Sequence, residues 1–202
     1  PEGSSPRSAA FFLRSSTLNF DLARWSSSFE RMAAFAYRDM AIGLGEEARE
    51  MWVAAVSHEV FGFFDAPPAL GRYFLPSEDR TPSGERVSVL SHAFWQNRYA
   101  GAQDVLGKQV RMGNMNYVVV GVAAEGFVGM IENPAPAAFV PITTLAYARN
   151  QEYYRTYNWS WLEILARGKP GVSEEEARAD LWAAFMRSWE AERQLNPAIG
   201  SI

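Results

Sequence analysis

The sequence predicts an α+β fold, and three observations carry this prediction. The 202 residues are 48% hydrophobic and 21% charged, an ordinary composition for a chain that buries a sizeable core. Apolar residues recur at three- and four-residue spacing near both ends of the chain, which is typical of amphipathic helices. The middle, from about Arg86 to Pro141, contains short alternating runs that indicate strands.

The N-terminal region predicts a loose lead-in and then a helix. Residues 1–16 are rich in Ser, Pro and Gly, which favour loops over regular elements. Thr17 or Asn19 can cap a helix, and apolar residues then recur at helical spacing as far as Met32. We therefore expect one amphipathic helix that ends near Met32.

Two strands and a short helix are predicted next. Residues 33–42 and 48–56 are strand-like, and Gly43-Leu44-Gly45 between them supplies the turn of a β-hairpin. Ser57 stands where a helix N-cap is expected, and residues 58–64 then allow one or two helical turns before a run of prolines.

The middle of the chain predicts a mostly β region, preceded by an irregular, exposed crossing over residues 71–85. The predicted elements are a strand over 86–90, a helix over 93–99 capped by Ser91 and closed by Gly101, a hairpin of residues 108–112 and 116–122 around Gly113-Asn114-Met115, and a buried strand over 138–141.

The C-terminal region predicts a strand and a long helix. Residues 146–157 have no clean period and predict only a partial helix, whereas residues 160–167 alternate as a strand. Ser173 and Glu176 have the spacing of a capping box, and an amphipathic helix follows as far as Asn196-Pro197. Its predicted inner face is Ala177, Leu181, Ala184, Phe185, Ser188 and Trp189, and its predicted outer face is Arg178, Asp180, Arg187, Glu190 and Arg193.

The ionisable residues do not form the pattern of an enzyme or a metal site. His58 and His92 each follow a serine at a predicted helix start, where the serine is expected to act as a cap and not as a nucleophile. The acidic pairs Glu46-Glu47 and Glu78-Asp79 are typical of solvated surface. The chain has no cysteine and no glycine-rich phosphate loop. We expect no catalytic residue, no metal ligand and no bound cofactor in this chain.

The charge balance and the apolar runs restrict the partners. Nineteen basic and 23 acidic residues give a formal net charge of −4 with the signs interspersed, so no basic stripe indicates nucleic acid. The apolar runs, such as residues 117–124, fall far short of the roughly 20 residues that span a bilayer. The chain is expected to be either a cytoplasmic protein or a soluble piece of a larger membrane protein.

Two features are candidates for a ligand or partner surface. The first is a dense aromatic cluster, which suits either a stacking platform for a sugar, a base or a peptide, or a part of the core. Its members are Tyr153, Tyr154, Tyr157, Trp159 and Trp161. The second is Arg72, which suits either the binding of an anion or the fixing of its own loop through backbone carbonyls.

An ordered string of short motifs runs through most of the chain. The motifs are Val56-Ser57, Phe61, Ala69-Leu70-Gly71-Arg72-Tyr73-Phe74, Glu78-Asp79, Val89-Leu90-Ser91, Phe94-Trp95, Arg98-Tyr99, Gly101, Leu106-Gly107-Lys108, Tyr117-Val118-Val119-Val120-Gly121-Val122 and Gly126-Phe127. Together they resemble the MacB-type periplasmic core domain of ABC transporter permeases. The resemblance is closest to the duplicated permeases without a fused ATPase that are common in acidobacteria, and it extends to residues 29–35, 140–141 and 169–173.

The resemblance implies a domain outside the cytoplasmic membrane, between the first and second transmembrane helices of a permease. Relatives have two lobes, a porter-like, membrane-proximal α/β sandwich lobe made from both chain ends and an inserted, mostly β distal lobe with one short helix. In this chain the first would be residues 17–85 and 143–196, and the second residues 86–142. The implied function is non-catalytic, namely to transmit ATP-driven conformational change to periplasmic partners or substrate.

The resemblance also implies partners. These are the transmembrane helices of the same permease, a separate cytoplasmic ATPase that alone would bind ATP, and a periplasmic adaptor or substrate protein. Because relatives dimerise through their membrane parts, the isolated domain is expected to be a monomer. The alternative function is a stand-alone extracytoplasmic module that binds a ligand or peptide through the Tyr153–Trp161 aromatic cluster.

Overall fold

The computed structural model shows a mixed α+β fold, as the sequence predicts, and describes residues 10–11, 22–153 and 161–195. The strands are β1 (Ala10–Phe11), β2 (Phe29–Ile42), β3 (Arg49–Val56), β4 (Leu70–Gly71), β5 (Val87–Leu90), β6 (Gln109–Met112), β7 (Met115–Val122), β8 (Ala138–Pro141) and β9 (Glu163–Gly168). The helices are α1 (described over residues 22–25), α2 (His92–Tyr99), α3 (Ile142–Arg149) and α4 (Glu174–Leu195). Short 3-10 helices lie at Gly45–Glu47, His58–Phe63, Pro76–Asp79 and Gln103–Val105.

The chain divides into two compact units. The first contains the described residues up to Ala34 and from Glu152 onward, and the second is Phe35–Gln151. Within the second unit, β3 and β5 both pair with β8. These pairings do not test the lobes that the resemblance implies. The lobe boundaries stay a prediction. The predicted lead-in over residues 1–16 lies outside the described residues, apart from β1.

The first unit contains β1, β9 and the start of β2, and it has its own apolar core. β9 lies between β1 and β2, and β1 pairs with β9 in antiparallel register, with Ala10 opposite Leu165. The core consists of Leu22, Ile164, Leu181 and Ala184, against which Trp25, Phe29, Met32 and Phe185 pack. Complete burial of a leucine or isoleucine side chain stabilises a fold by roughly 1.5–3 kcal/mol.

Helix α4 begins at the predicted capping box. The Ser173 amide donates to Glu176 Oε2 at 2.8 Å, and the Glu176 amide donates to Ser173 Oγ at 3.2 Å. The inner face is confirmed at Ala177, Leu181 and Ala184, which are buried, and at Ser188, which is 1% exposed. Spacing alone therefore defines both the start and the buried face of this helix.

The predicted N-terminal helix is wrong over its last turn. β2 already begins at Phe29, and the helical residues end at Trp25. Ser26 bonds back to the carbonyl of Leu22 with its amide at 3.0 Å and its hydroxyl at 2.6 Å, which closes the last turn. Serine hydroxyls compete in this way with the helical hydrogen-bond pattern.

The carboxylate of Asp180, far along the chain, also holds the backbone after Ser26 out of the helical hydrogen-bond pattern. The amides of Ser27 and Ser28 both donate to Asp180 Oδ2 at 2.7 Å instead of to a preceding helical carbonyl. Asp180 is only half-buried, but it is not the solvated outer-face residue that the helical pattern of α4 predicts. A contact across the first unit thus overrides the local apolar periodicity.

The second unit begins with the predicted hairpin. β2 and β3 pair in antiparallel register from Phe35 opposite Val56 to Ile42 opposite Arg49. Gly43 has a φ of 106°, a left-handed conformation that L side chains rarely adopt, and it allows the chain to reverse. The second predicted hairpin is also confirmed, with Met112 of β6 opposite Met115 of β7.

The strands of the second unit have the order β2-β3-β8-β5-β7-β4, and β6 pairs with β2 and β7 outside this order. β3 pairs in parallel with β8, β8 in antiparallel with β5, β5 in parallel with β7, and β7 in antiparallel with β4. Only the two hairpins of this unit join strands that are neighbours in sequence. The other pairings come from long crossovers, so they are not visible as local patterns.

Of the helices in the second unit, α2 begins where the sequence predicts it, and α3 does not. α2 begins as expected, because Ser91 Oγ accepts a hydrogen bond from the Phe94 amide at 3.2 Å. α3 instead begins at Ile142, ahead of the predicted partial helix over 146–157, and ends at Arg149. The predicted crossing over 71–85 begins at the last residue of β4 and includes a 3-10 helix, and it buries Glu78 and the side chain of Asp79.

Candidate functional site

Arg72 forms a bidentate ion pair with a buried carboxylate. Its Nη1 and Nη2 atoms donate to Glu78 Oε2 and Oε1, each at 2.7 Å, and Nη1 also donates to the carbonyl oxygen of Tyr73 at 3.0 Å. The Glu78 side chain is 7% exposed, whereas that of Arg72 is 45% exposed. The guanidinium holds the pKa of Glu78 below its ordinary value, and Glu78 raises the pKa of Arg72. The anion that Arg72 contacts is therefore a residue of its own loop.

Glu78 also caps the start of the 3-10 helix Pro76–Asp79, to which it belongs. Its Oε2 accepts from the Leu75 amide at 2.7 Å, while its own amide donates to the Leu75 carbonyl at 2.9 Å. The expectation of a solvated Glu78-Asp79 pair is wrong, because both carboxylates are buried and accept hydrogen bonds from other residues of the chain. Pro76 at the first position of the turn is the one local signal that a capped helix begins there.

Asp79 joins the starts of two helical segments. Its Oδ2 accepts from the His58 amide at 3.0 Å, and its Oδ1 accepts from the Thr143 amide at 3.3 Å and the Thr143 hydroxyl at 2.8 Å. The Asp79 side chain is 3% exposed. Ser57, the predicted cap of the first segment, makes no capping hydrogen bond with its side chain. The cap is thus supplied by Asp79 from another part of the chain.

His58 lies between two carboxylates at this junction. Its Nε2 is 3.3 Å from Glu59 Oε1, and its Nδ1 is 3.8 Å from Asp79 Oδ2. Interaction with Asp79 raises the pKa of His58 above its ordinary value, burial opposes that rise, and Glu59 adds to it. A protonated imidazole is therefore favoured here.

His58, Glu59 and Asp79 are also close enough together to be considered as metal ligands. One ligand atom from each of His58, Glu59 and Asp79 lies within 4.8 Å of the others. Both oxygens of Asp79, however, already accept hydrogen bonds from backbone and hydroxyl donors. The arrangement fits a hydrogen-bonded junction better than a metal centre, which needs free lone pairs converging on one point.

The predicted aromatic surface is described only in part. Tyr153 is 2% exposed, and Trp161 is half-buried. Tyr154, Tyr157 and Trp159 lie outside the described residues. The role of the cluster as a ligand or partner surface stays a prediction.

An open groove of about 580 Å³ lies within the second unit. It is lined by the β2–β3 hairpin end (residues 42–51), α2 (residues 91–99) and β6 (residues 109–111), and by residues 126–128 and 135–137. Its volume is within the range of small-molecule pockets, roughly 300–1,000 Å³. Sequence reasoning missed the groove, because its walls come from segments that are far apart along the chain.

The charged lining of the groove is positive. Its charged residues are Glu47, Arg49, Arg98 and Arg111, so three positive charges against one negative give a formal balance of +2. Arg98 Nη2 donates to Glu47 Oε2 at 2.6 Å, and Arg49 Nη1 donates to the carbonyl oxygens of Glu46 and Ala48 at 2.7 and 2.9 Å. The Arg111 side chain forms no hydrogen bond or ion pair with any other residue that the structure describes.

The apolar lining includes one strongly exposed side chain and one that is anchored in the core. Leu44 is 68% exposed at the tip of the hairpin, and Phe94 is 9% exposed. Phe127 contacts the rings of Phe64 and Phe139, with centroid distances of 5.1 and 5.3 Å. These aromatic contacts hold one wall of the groove against the interior of the second unit.

Solved structures share this fold. The periplasmic region of MacB from Actinobacillus actinomycetemcomitans is 13% identical, with a TM-score of 0.66 over 95% of this chain and 86% of that chain. The extracellular domain of the noncanonic ABC-type transporter YknZ from Gram-positive bacteria is 15% identical, with a TM-score of 0.62 over 90% and 85%. A domain of a putative permease from Porphyromonas gingivalis is 18% identical, with a TM-score of 0.66 over 92% and 75%.

A family comparison extends the likeness from fold to sequence. Residues 5–184 match the family described as the MacB-like periplasmic core domain. No curated protein matches the chain. Within the described ranges, no helix combines the length and the apolar character that crossing a bilayer requires.

Proposed function

Because the chain belongs to the family of MacB-like periplasmic core domains, we propose that it transmits ATP-driven movements of an ABC transporter permease to partners or substrate outside the cytoplasmic membrane. The match over residues 5–184 is the observation that carries this proposal. The family is periplasmic, so the domain lies on the extracytoplasmic side, and ATP binding and hydrolysis belong to a separate cytoplasmic ATPase.

The use of the ionisable groups supports a role without catalysis. Glu78 binds Arg72 and a backbone amide, Asp79 accepts from His58 and Thr143, and Asp180 accepts from two amides of the first unit. Each of these carboxylates is engaged in holding the fold. A general acid or base, by contrast, needs a poised proton within reach of a bound substrate.

The partners follow from the same proposal. The domain would receive movement from the transmembrane helices of its permease and pass it to a periplasmic adaptor or a substrate protein. The alternative, a stand-alone module that binds ligand through the Tyr153–Trp161 cluster, gains no support from the buried position of Tyr153.

The test uses the full permease with its ATPase, reconstituted in vesicles. This chain has no cysteine, so Asn114→Cys and Arg187→Cys, at exposed positions of the second and the first unit, accept spin labels at defined sites. We expect the distance distribution between these labels to shift when a hydrolysis-deficient ATPase is trapped with ATP. The matched control is the pair Glu50→Cys and Asn114→Cys, both within the second unit, whose distance should stay constant. An unchanged first distance in a permease that still transports would contradict the proposal.

A further inference from the structure

We propose that the groove of the second unit binds an anionic amphiphile, a ligand that joins one carboxylate or phosphate head group to an apolar chain. The inference goes beyond the transmission of movement and does not depend on it, because it concerns equilibrium binding to this chain. It rests on the charges, the exposed apolar residues and the volume of the groove.

The arginines provide the site for the head group. Arg111 has no partner among the described residues, and Arg49 donates only to neutral carbonyl oxygens, so neither guanidinium is neutralised by a carboxylate. Arg98 differs, since it is paired with Glu47 at 2.6 Å. Guanidinium groups form their strongest hydrogen bonds with carboxylates and phosphates. The groove therefore has the donors and the charge for an anionic group that the described part of the chain does not supply.

The sign of the local charge selects against other head groups. The whole chain carries a formal charge of −4, whereas the groove lining carries +2, from three arginines and one glutamate. A cationic ligand would meet two guanidinium groups without a carboxylate to offset them. An anion that the chain repels on average is attracted at this place.

The apolar residues of the groove provide the site for the apolar chain of the ligand. Leu44 is 68% exposed and lines the groove together with Met51, Phe94 and Val128. An apolar chain lying here would remove this surface from water, which is the dominant favourable contribution in such binding. Phe127 is fixed by the aromatic contacts of the core, so that wall is formed before a ligand binds.

The small number of available cations indicates one head group. Nucleic acids and acidic peptides present rows of negative charge, and tight binding of a nucleic-acid strand uses many cations along its track. Here two guanidinium groups, those of Arg49 and Arg111, have no carboxylate partner among the described residues, and the groove has a volume of about 580 Å³. A ligand with a single anionic head group and an apolar chain matches both the number of these guanidinium groups and the volume of the groove.

The test is isothermal titration calorimetry of the 202-residue chain. Dodecyl phosphate and laurate, each below its micelle concentration, are the probes and distinguish the two head groups. We expect at least one of them to bind at one site per chain. Inorganic phosphate lacks the apolar chain, and dodecyltrimethylammonium carries the opposite charge. Each should bind more weakly than the amphiphiles by about tenfold or more.

Variants assign the binding to the groove. Arg111→Gln should weaken binding by about tenfold, because a charge-assisted hydrogen bond is lost. Arg111→Lys should restore part of the loss, and Leu44→Ser should weaken the amphiphiles without affecting inorganic phosphate. Arg80→Gln is the matched control, since Arg80 is an exposed arginine of the same unit outside the groove lining. If Arg111→Gln unfolds, Arg49→Gln serves the same purpose.

Several results would overturn the proposal. They are the absence of binding by both amphiphiles, equal binding of dodecyltrimethylammonium or inorganic phosphate, and an unchanged affinity in the folded Arg111→Gln variant. Tighter binding of a peptide of alternating Glu and Val would assign the groove to an acidic peptide instead.

Discussion

Asp79 and Asp180 show how single carboxylates organise backbone far from them in sequence. Asp79 accepts from Thr143, 64 residues away, and Asp180 accepts from Ser27, 153 residues away. Burial alone would raise the pKa of Asp180, but the hydrogen bonds from Ser28 and Ser27 outweigh it and lower that pKa. Nothing in the local sequence indicates either role, because each partner lies in a different element.

The Arg72–Glu78 pair gives a first prediction at this scale. Arg72→Gln should lower the free energy of unfolding by about 1–3 kcal/mol, since Glu78 keeps its buried charge and loses two donors. A fully buried pair would cost more, about 3–5 kcal/mol, but Arg72 is 45% exposed. Urea unfolding at neutral pH measures the change.

Two controls accompany the Arg72 variant. Arg178→Gln removes an exposed ion pair with Glu174 and should change stability by less than about 0.5 kcal/mol. Because the pKa of Glu78 is lowered in the folded state, its contribution is present above the unfolded pKa and is lost as the pH falls through the folded pKa. An Arg72→Gln deficit that does not shrink in acid would contradict the ion-pair explanation.

His58 gives a second prediction, with the opposite dependence on pH. Its folded pKa is raised, so its stabilising contribution is complete below the unfolded value of about 6.5 and is lost as the pH rises through the folded pKa. The difference in unfolding free energy between the wild type and His58→Gln should therefore be largest in mild acid and smaller at pH 9.

Asp79→Asn isolates the cause of this effect. Asp79 is the largest contributor to the raised pKa of His58, and Glu59 is the other carboxylate beside the ring. In the Asp79→Asn background, the substitution His58→Gln should show a smaller dependence on pH. An equal dependence in both backgrounds would mean that Asp79 does not hold the charged imidazole.

At the scale of elements, two glycines allow β4 and β7 to approach closely. Gly71 is opposite Gly121 in the antiparallel register, and a Cβ on either residue would collide with the backbone of the facing segment. The collision at Gly121 involves the carbonyl and amide of Arg72, which cannot move as the end of a flexible side chain can. This contact connects the strand pair to the Arg72–Glu78 loop.

Gly121→Ala should therefore destabilise the fold. Overpacking a rigid contact of this kind costs typically about 1–3 kcal/mol. Gly168→Ala is the matched control, because Gly168 also lies in a strand, has no positive φ, and has open space at its Cβ position. Thermal unfolding of the two variants gives the comparison, and equal melting temperatures would refute the close approach of β4 and β7.

The elements also show which local signals suffice. Both hairpins, the Ser91 cap of α2 and the capping box of α4 form where the sequence predicts them, since each is made by residues a few positions apart. The helix predicted as far as Met32 is wrong, because Asp180 takes the amides of Ser27 and Ser28. Local patterns are reliable when no distant group competes for the same backbone donors.

At the scale of the whole molecule, the family can be recognised from the sequence, whereas the groove cannot. The family is recognisable from an ordered string of short motifs, and the match over residues 5–184 confirms it. The groove depends on the pairing of strands that are distant in sequence, which brings Arg49, Arg98 and Arg111 to one cavity. Among the described residues, the predicted candidates Arg72, Tyr153 and Trp161 do not line it.

The oligomeric state is the prediction that belongs to this scale. The isolated chain should be a monomer of 22.6 kDa. The large apolar side chains exposed among the described residues are Leu44, Leu75, Leu106, Val118 and Trp182. A stable dimer typically buries about 800 Å² on each partner, which these side chains alone do not supply. Multi-angle light scattering that gives twice the monomer mass at micromolar concentration would contradict this prediction.

The sequence by itself determined the fold class, the hairpins, the caps of α2 and α4 and the family, because these depend on spacing, turn chemistry and an ordered string of motifs within short segments. Only the tertiary structure decided where the buried carboxylates bind, where the N-terminal helix ends, and that a positively charged groove exists. These features require contacts between residues far apart in the chain, and a distant hydrogen bond or charge leaves no trace in local periodicity.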